Sequence, residues 1–260
     1  PDPGSPSTVN GFATTTDGSL WITRSEGLAR DQGNGFEHIP FPHPTSYVRR
    51  IVAGPEGELY ACTTNLGLYR WKDGEWSQFL SDRPDCNNVF NVLIRSEGPP
   101  LVATLGGLCE LRGSSLVPPP SQLAIDAPVF ASFEDSRGWL WIGTALGIFR
   151  WNGAHLRHFG AADGLPGQEV NRDAILEDAA GTVWFGMDGG LAFFRPDCEV
   201  VHPAPTLRSV AAFSQGAPLV LDEATKVTEG SDLLIAINVA SIAGVGAPEY
   251  RVRMFDQAKD

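Results

Sequence analysis

Apolar and polar residues along this chain fall into short runs that return at a regular interval. The first is Asp17-Gly18-Ser19-Leu20-Trp21-Ile22-Thr23, followed by Glu26-Gly27-Leu28-Ala29-Arg30. It returns as Glu56-Gly57-Glu58-Leu59-Tyr60-Ala61-Cys62-Thr63, with Leu66-Gly67-Leu68-Tyr69-Arg70-Trp71 behind it. A weaker third copy reads Glu97-Gly98-Pro99-Pro100-Leu101-Val102-Ala103-Thr104, then Gly106-Gly107-Leu108-Cys109-Glu110-Leu111. The fourth is the cleanest: Asp135-Ser136-Arg137-Gly138-Trp139-Leu140-Trp141-Ile142-Gly143-Thr144, then Leu146-Gly147-Ile148-Phe149-Arg150-Trp151. The fifth is Ala180-Gly181-Thr182-Val183-Trp184-Phe185-Gly186, then Gly189-Gly190-Leu191-Ala192-Phe193-Phe194. The second glycines stand at 27, 67, 107, 147 and 190, in steps of 40, 40, 40 and 43. Self-similarity at such a period marks a repeat architecture.

Each unit holds four strand candidates. An apolar run such as Val89-Phe90-Asn91-Val92-Leu93-Ile94 or Val129-Phe130-Ala131-Ser132-Phe133 precedes the two strands above. A short last strand follows a turn, as in Asp73-Gly74-Glu75-Trp76-Ser77-Gln78-Phe79 and Asn152-Gly153-Ala154-His155-Leu156-Arg157-His158-Phe159. Asp-Gly and Asn-Gly suit two-residue hairpin turns, whose central positions need positive φ. Four antiparallel strands in about forty residues make one propeller blade. A helical solenoid of this period would show apolar residues three and four apart, which these runs do not. Near-continuous runs such as Trp139-Leu140-Trp141-Ile142 call for apolar cover on both sheet faces, as blades stacked face to face provide. Trp21, Tyr60, Trp141 and Trp184 take the same place in their units and are expected between the sheets rather than on a sugar-stacking surface.

The expected fold is therefore all-β: a β-propeller of four-stranded blades, with five units near 9–40, 48–80, 89–118, 129–160 and 170–202. The pattern stops after Pro196, and His202-Pro203-Ala204-Pro205 reads as a stiff linker. Residues 203–260 then carry strand-like runs at Leu207 to Phe213, Pro218 to Leu221, Asp232 to Val239 and Tyr250 to Phe255. These suggest the start of an Ig-like β-sandwich, too short to be complete, so the natural protein is expected to continue.

Composition narrows the function classes. Across 260 residues, 19 Lys and Arg against 31 Asp and Glu leave a net charge of −12. Such a chain repels nucleic acid and anionic membrane, so neither is an expected partner. No apolar run is long enough to span a bilayer, so membrane attachment would need segments outside this chain. The N-terminal Pro-Asp-Pro-Gly-Ser-Pro-Ser-Thr has no signal-peptide pattern. Cys62 and Cys109 sit in apolar runs and are expected to pack as small hydrophobes. Cys86 and Cys198 each follow Pro-Asp in polar turns, open to oxidation. Four cysteines allow three full pairings, and the spacing does not choose among them.

The units resemble the two-component regulator propeller repeat: an Asp-rich turn, Gly, any residue, Leu-Trp-Ile-Gly-Thr, a spacer, and Gly-Leu-x-Arg. Asp135 to Trp151 follows it almost throughout, and Asp163-Gly164-Leu165-Pro166 with Val170 to Gly186 looks like the family's blade-to-blade connection. Departures are Pro99-Pro100 and Glu110 in unit three, and Met187 in the place of Thr144. The tail is similar to the tyrosine-rich Ig-like module that follows such propellers, at Pro205 to Val210 and Tyr250 to Arg253. The resemblance implies a periplasmic sensor region of a membrane-bound bacterial signalling protein, often a homodimer, with its histidine kinase or diguanylate cyclase output elsewhere. Members of that family often carry more than five blades, commonly in rings of seven, so the resemblance implies either further N-terminal blades or closure as five.

No nucleophile elbow, zincin, Walker or dinucleotide motif occurs, and no cofactor or metal is expected. His38 and His43, in a Pro-rich loop, and His155 and His158, flanking a strand, lack an accompanying ligand cluster. Glu134-Asp135 and Glu177-Asp178 recur at one repeat position, which marks them as structural. A ligand is expected at the central mouth, where the first strands begin. Those starts hold Asn10, Arg49, Arg50, Asn88, Asn91, Asn171 and Arg172. Arg and Asn converging there suit a small anionic or polyhydroxylated molecule such as an oligosaccharide. The competing readings are a propeller enzyme of lyase or lactonase type with a channel metal site, and a scaffold that only binds proteins.

Overall fold

The computed structural model describes residues 9–24, 27–43, 48–196, 206–214, 217–219 and 233–240. The chain divides into two compact units, Pro1–Asp197 and Cys198–Asp260. The first holds five antiparallel sheets of the kind that form propeller blades, in the registers the repeats foretell. Sheet one runs β1 (Phe12–Thr14), β2 (Leu20–Arg24), β3 (Gly27–Asp31), β4 (Phe36–Ile39). Sheet two is β5 (Val48–Ala53), β6 (Leu59–Thr63), β7 (Leu68–Lys72), β8 (Glu75–Phe79). Sheet three is β9 (Val89–Leu93), β10 (Leu101–Thr104), β11 (Gly107–Arg112), β12 (Ser115–Val117). Sheet four is β13 (Val129–Glu134), β14 (Leu140–Thr144), β15 (Gly147–Trp151), β16 (Leu156–Phe159). Sheet five shows three strands among the described residues, β17 (Val170–Glu177), β18 (Val183–Met187) and β19 (Gly190–Phe194). The fourth strand expected before residue 202 lies outside the described residues.

The first strands of successive sheets are neighbours: β1 with β5, β5 with β9, β9 with β13, and β13 with β17, while β17 also touches β9. Between the sheets lie four apolar clusters, one for each pair. Trp21, Ile51 and Leu59 fill the first; Cys62, Val92 and Val102 the second; Leu101, Leu123 and Ile142 the third; Trp141, Val170 and Phe185 the fourth. Burial on both faces is why these strands do not alternate.

Three repeated devices explain the consensus residues. The turn-entry aspartate accepts its own turn's N–H groups and the indole of the following strand. Asp135 takes Trp141 Nε1 at 2.8 Å and the Trp139 and Arg137 backbone N–H groups at 2.9 and 3.0 Å. Asp178 does the same for Trp184 Nε1 at 2.8 Å and for the Ala180 and Thr182 N–H groups. The preceding glutamate reaches the neighbouring blade: Glu134 accepts from Ser96 N and Oγ, and Glu177 from Ser136 N and Oγ, all at 2.6–2.8 Å. These carboxylates are therefore occupied structurally. Finally, Thr63, Thr104 and Thr144 donate Oγ–H to the carbonyls of Gly67, Gly107 and Gly147, closing each central hairpin. Met187 lacks that hydroxyl, which is what the departure at this position costs.

Turn chemistry matches in part. Asp73 and Gly74 take φ of 53° and 87°, as a tight hairpin of this type requires. At Asn152-Gly153 only the glycine is positive, and Asn152 Oδ1 instead accepts from Ala154 N and His155 N. The asparagine side chain has replaced the expected two-residue turn. Gly147, with φ of 104°, has no room for a side chain: a Cβ would stand 2.3 Å from the Phe159 carbonyl oxygen.

In the second unit, β20 (Thr206–Ser214), β21 (Ala217–Leu219) and β22 (Leu233–Ala240) form an antiparallel sheet in the order β21-β20-β22. The linker at 202–205 and the run from Tyr250 to Phe255 lie outside the described residues.

Candidate functional site

Four of the five first strands, β5, β9, β13 and β17, break register near their starts. In β5, Val48 faces Thr63 and Arg50 faces Cys62, so Arg49 is the extra residue. In β9, Val89 faces Thr104 and Asn91 faces Ala103, leaving Phe90; in β13 the extra residue is Phe130. In sheet one Phe12 faces Ile22 as Arg50 faces Cys62, so Gly11, whose carbonyl accepts from Thr23 N, stands where Arg49 does, and Asn10 lies one residue before it. In β17 the pairs jump from Val170–Met187 to Ile175–Phe185, so Asn171 to Ala174 lie opposite Gly186 alone. This longer bulge takes up extra residues of the 43-residue step. Bulges bend the strand and re-aim the side chain they carry. Here four of them sit on four neighbouring strands.

The bulges bring together a pair of cations around one ring. The Arg49 and Arg172 guanidinium carbons stand 4.9 and 5.0 Å from the centre of the Phe90 ring, which itself meets Phe130 edge-on at 5.1 Å. Arg49 Nε donates to Thr64 Oγ1 at 2.7 Å, which fixes that guanidinium. Burial, and then the charge of Arg172, pull the Arg49 pKa down. Among the described residues neither arginine has a carboxylate partner. Two like charges are thus held together on a ring face in a chain of net charge −12.

Arg50 behaves differently. It forms an ion pair with Asp173, joining β5 to β17. Asp173 has φ of 55° and one carboxylate oxygen buried without a hydrogen-bond partner. Burial pushes its carboxyl up, offset only in part by Arg50. Asn91 is buried on the ladder, and Asn88 carries a buried Oδ1 without a partner, while Asn10 and Asn171 are exposed. Of the seven residues named from sequence, the structure brings Arg49 and Arg172 together, neutralises Arg50, and withdraws Asn91 into the sheet. Phe90, Thr64 and Asp173 were missed. Their sequence signal is slight: an aromatic at a strand start, and extra residues in one repeat.

The histidines lie elsewhere. His38 is within β4 rather than in a loop, and His158 in β16 stacks on Phe149 with a ring nitrogen 2.6 Å from the Leu146 carbonyl oxygen. Among the described residues no group of three His, Cys, Asp or Glu is placed to hold a metal ion. A cleft of about 390 Å³ opens between the third and fourth sheets, lined by Arg95, Glu110, Gln122, Leu123 and Trp151. Glu110 stands opposite Leu101, where sheet four has Arg150 opposite Trp141. With no indole to cover, the position has changed charge, and buried Glu110 binds Arg95 and Arg112. That departure from the repeat was the visible sign of the cleft.

Comparison with known proteins follows the same lines. The family model described as two component regulator propeller matches residues 124–145 and 164–189, the hairpins β13–β14 and β17–β18 with their approaches. Among solved structures, the extracellular domain of BT4673 from B. thetaiotaomicron, assigned as a hybrid two component system, is similar at 20% identity and a TM-score of 0.59. That match covers 80% of this chain and 29% of the other. The corresponding domain of BT3049 from the same organism matches at 18% identity and 0.61, covering 92% and 33%. A catalytically inactive virginiamycin B lyase from Staphylococcus aureus matches at 17% identity and 0.57, covering 73% and 66%. At these identities the likeness concerns the fold. The chain spans about a third of the length of the two B. thetaiotaomicron domains. No curated protein matches it. In the fourth and fifth units and the segments leading into them, the chain is thus similar to the two component regulator propeller repeat.

Proposed function

We propose that this chain is part of the extracytoplasmic sensor region of a bacterial two-component signalling protein and binds an anionic ligand at its first-strand bulges. The family match supports the signalling role. The observation that carries the site is the pairing of Arg49 with Arg172 across Phe90, two cations without a carboxylate among the described residues. An anion placed between them relieves their repulsion and gains forked, charge-assisted hydrogen bonds. Phe90 and Phe130 are themselves buried and serve to hold the two arginines in place.

A sensor needs only different affinity for two states, not turnover. The lyase likeness keeps an enzymatic reading in view, but His38 and His158 lie on the last strands of their sheets, while the bulges lie on the first. Release of a periplasmic location, the Ig-like character of the tail and dimerisation follow from the sensor reading and stand or fall with it.

The test is a titration of the chain with neutral and uronic-acid oligosaccharides, dicarboxylates and inorganic phosphate, followed in the full-length protein by ligand-dependent output. The reading expects at least one anionic class to bind. Arg49→Ala and Arg172→Ala should each weaken it by about tenfold or more, since one charged hydrogen bond contributes roughly 1.5–3 kcal/mol, at unchanged thermal stability. Equal binding and output in both variants would place sensing on another surface.

A further inference from the structure

Cys86 overturns its sequence reading. It is not an open turn residue: it is fully buried, in a 3-10 turn at Pro84–Asn87 that leads into β9. That turn is pressed onto the β10–β11 hairpin. Gly106 N donates to Asp85 O at 3.1 Å, Leu105 N to Asn88 O at 3.0 Å, and Arg83 Nη2 to Gly106 O at 2.8 Å. The approach is so close that a Cβ on Gly106 would lie 2.9 Å from Cys86 Sγ. Cys109, on β11, is equally buried and belongs to the same apolar cluster between sheets two and three. Packed in this way, the two thiols lie close enough for each to perturb the other's ionisation. Both are free in the structure, as is Cys62.

We propose that Cys86 and Cys109 form a disulfide under oxidising conditions, a covalent clasp that ties the turn before β9 to the third strand of its sheet. The chemistry is asymmetric. The neighbouring Cys109 thiol, aided by Thr104, Arg83 and Ser81, draws the Cys86 thiol down, while the same neighbour and burial push Cys109 up. Cys86 is therefore the attacking thiolate. With a low-molecular-weight disulfide as oxidant, Cys86 Sγ attacks one sulfur of the reagent, forming a mixed disulfide and expelling one thiolate. Cys109 Sγ then attacks Cys86 Sγ and displaces the second. The two cysteine protons end on the two released thiols, and the reagent's sulfur–sulfur bond is reduced as the protein's forms. Cys86 itself is buried while Asp82 to Asp85 beside it are exposed, so the reagent reaches its sulfur from the outer side when this short turn opens.

The same turn leads within a few residues to Phe90, so the clasp would also steady the ring that carries Arg49 and Arg172. The proposal does not depend on ligand binding there.

The experiment uses the 260-residue chain. It is equilibrated with excess oxidised glutathione, denatured, alkylated, and digested without reductant for mass mapping. The expected result is one peptide pair joined through Cys86 and Cys109, with Cys62 alkylated. The oxidised chain should also melt several degrees above the reduced one. Cys62→Ala should keep that difference and Cys86→Ala should abolish it. Recovery of Cys86 and Cys109 both alkylated, or of Cys86 joined to Cys198 or to glutathione, overturns the proposal; this mapping needs no variant to fold.

Discussion

Replacing Asp135 with alanine should unfold the fourth blade more readily than any other single carboxylate change at a turn entry. The Asp135 side chain is fully buried and accepts five hydrogen bonds: from Trp141 Nε1 at 2.8 Å, from Arg137 Nη2 and Nε at 2.6 and 3.1 Å, and from the backbone N–H groups of Arg137 and Trp139. Trp141 is 1% exposed, so its indole N–H cannot turn to water once the carboxylate is gone. Leaving that donor unpaired costs about 1–3 kcal/mol. Breaking the buried pair with Arg137 adds to it, partly recovered because Arg137 reaches solvent, for a total of about 3–5 kcal/mol. Trp141→Phe keeps most of the ring and loses the donor, costing about 1.5–3 kcal/mol. Urea unfolding followed by far-UV circular dichroism on wild type, both single variants and the double variant measures the coupling. It should be about 1–2 kcal/mol. Additivity within about 0.5 kcal/mol would refute the indole–carboxylate bond as the source of the conserved pattern within the repeats. The pH dependence gives a second check. Burial pushes Asp135 up, but hydrogen bonds from Arg137, Trp141 and the turn backbone outweigh it and hold the carboxyl below its usual range. A carboxyl depressed on folding stabilises fully above its unfolded pKa, near 4, and loses that contribution as pH falls through the folded value. The gap in stability between wild type and Asp135→Asn should therefore be constant above about pH 5 and shrink below about pH 4.

Two further outcomes test the fold's other devices. Gly147→Ala meets both a positive φ and the Phe159 carbonyl, whereas Gly153→Ala, at φ of 91°, meets nothing within 4 Å. Thermal melts should show Gly153→Ala losing about 1–2 kcal/mol and Gly147→Ala clearly more, and equal losses would show that the hairpin shifts freely. Ser136→Ala removes the inter-blade bond to Glu177 and should cost about 1 kcal/mol. Once Glu177→Gln is present, the further effect of Ser136→Ala should fall by half or more in the same melts, and an undiminished effect would deny the contact.

The period, the four strands of a unit and the buried indoles were all readable from the chain because each rests on local chemistry. Asp73-Gly74 dictates its turn, Trp141 is buried and bonded to an aspartate six residues back, and a run such as Val89 to Leu93 can only be satisfied by cover on both faces. Trp184 makes the same bond but is only half-buried, against the outer Phe193. Asn152-Gly153 shows the limit of that logic, since the asparagine had two ways to satisfy the turn and took the side-chain one. Where repeat equivalence held, it also sorted function from structure: Glu134 and Glu177 stitch blades together, as their recurrence implied.

The candidate site was only half legible. Arginines and asparagines at strand starts were visible as a set, but each start obeys the same local rule, and local rules do not say which side chains meet. That depended on bulges in four of the first strands and on strands from different units lying side by side. The result sends Arg49 and Arg172 to one ring and gives Arg50 to Asp173. Cys86 makes the same point, because a Pro-Asp turn looks polar until the neighbouring hairpin closes over it. The sequence by itself determined the repeating unit, since hydrogen-bonding and burial demands within forty residues leave one solution; tertiary structure alone decided which units' side chains share a space, since that is set by the stacking of one sheet on the next.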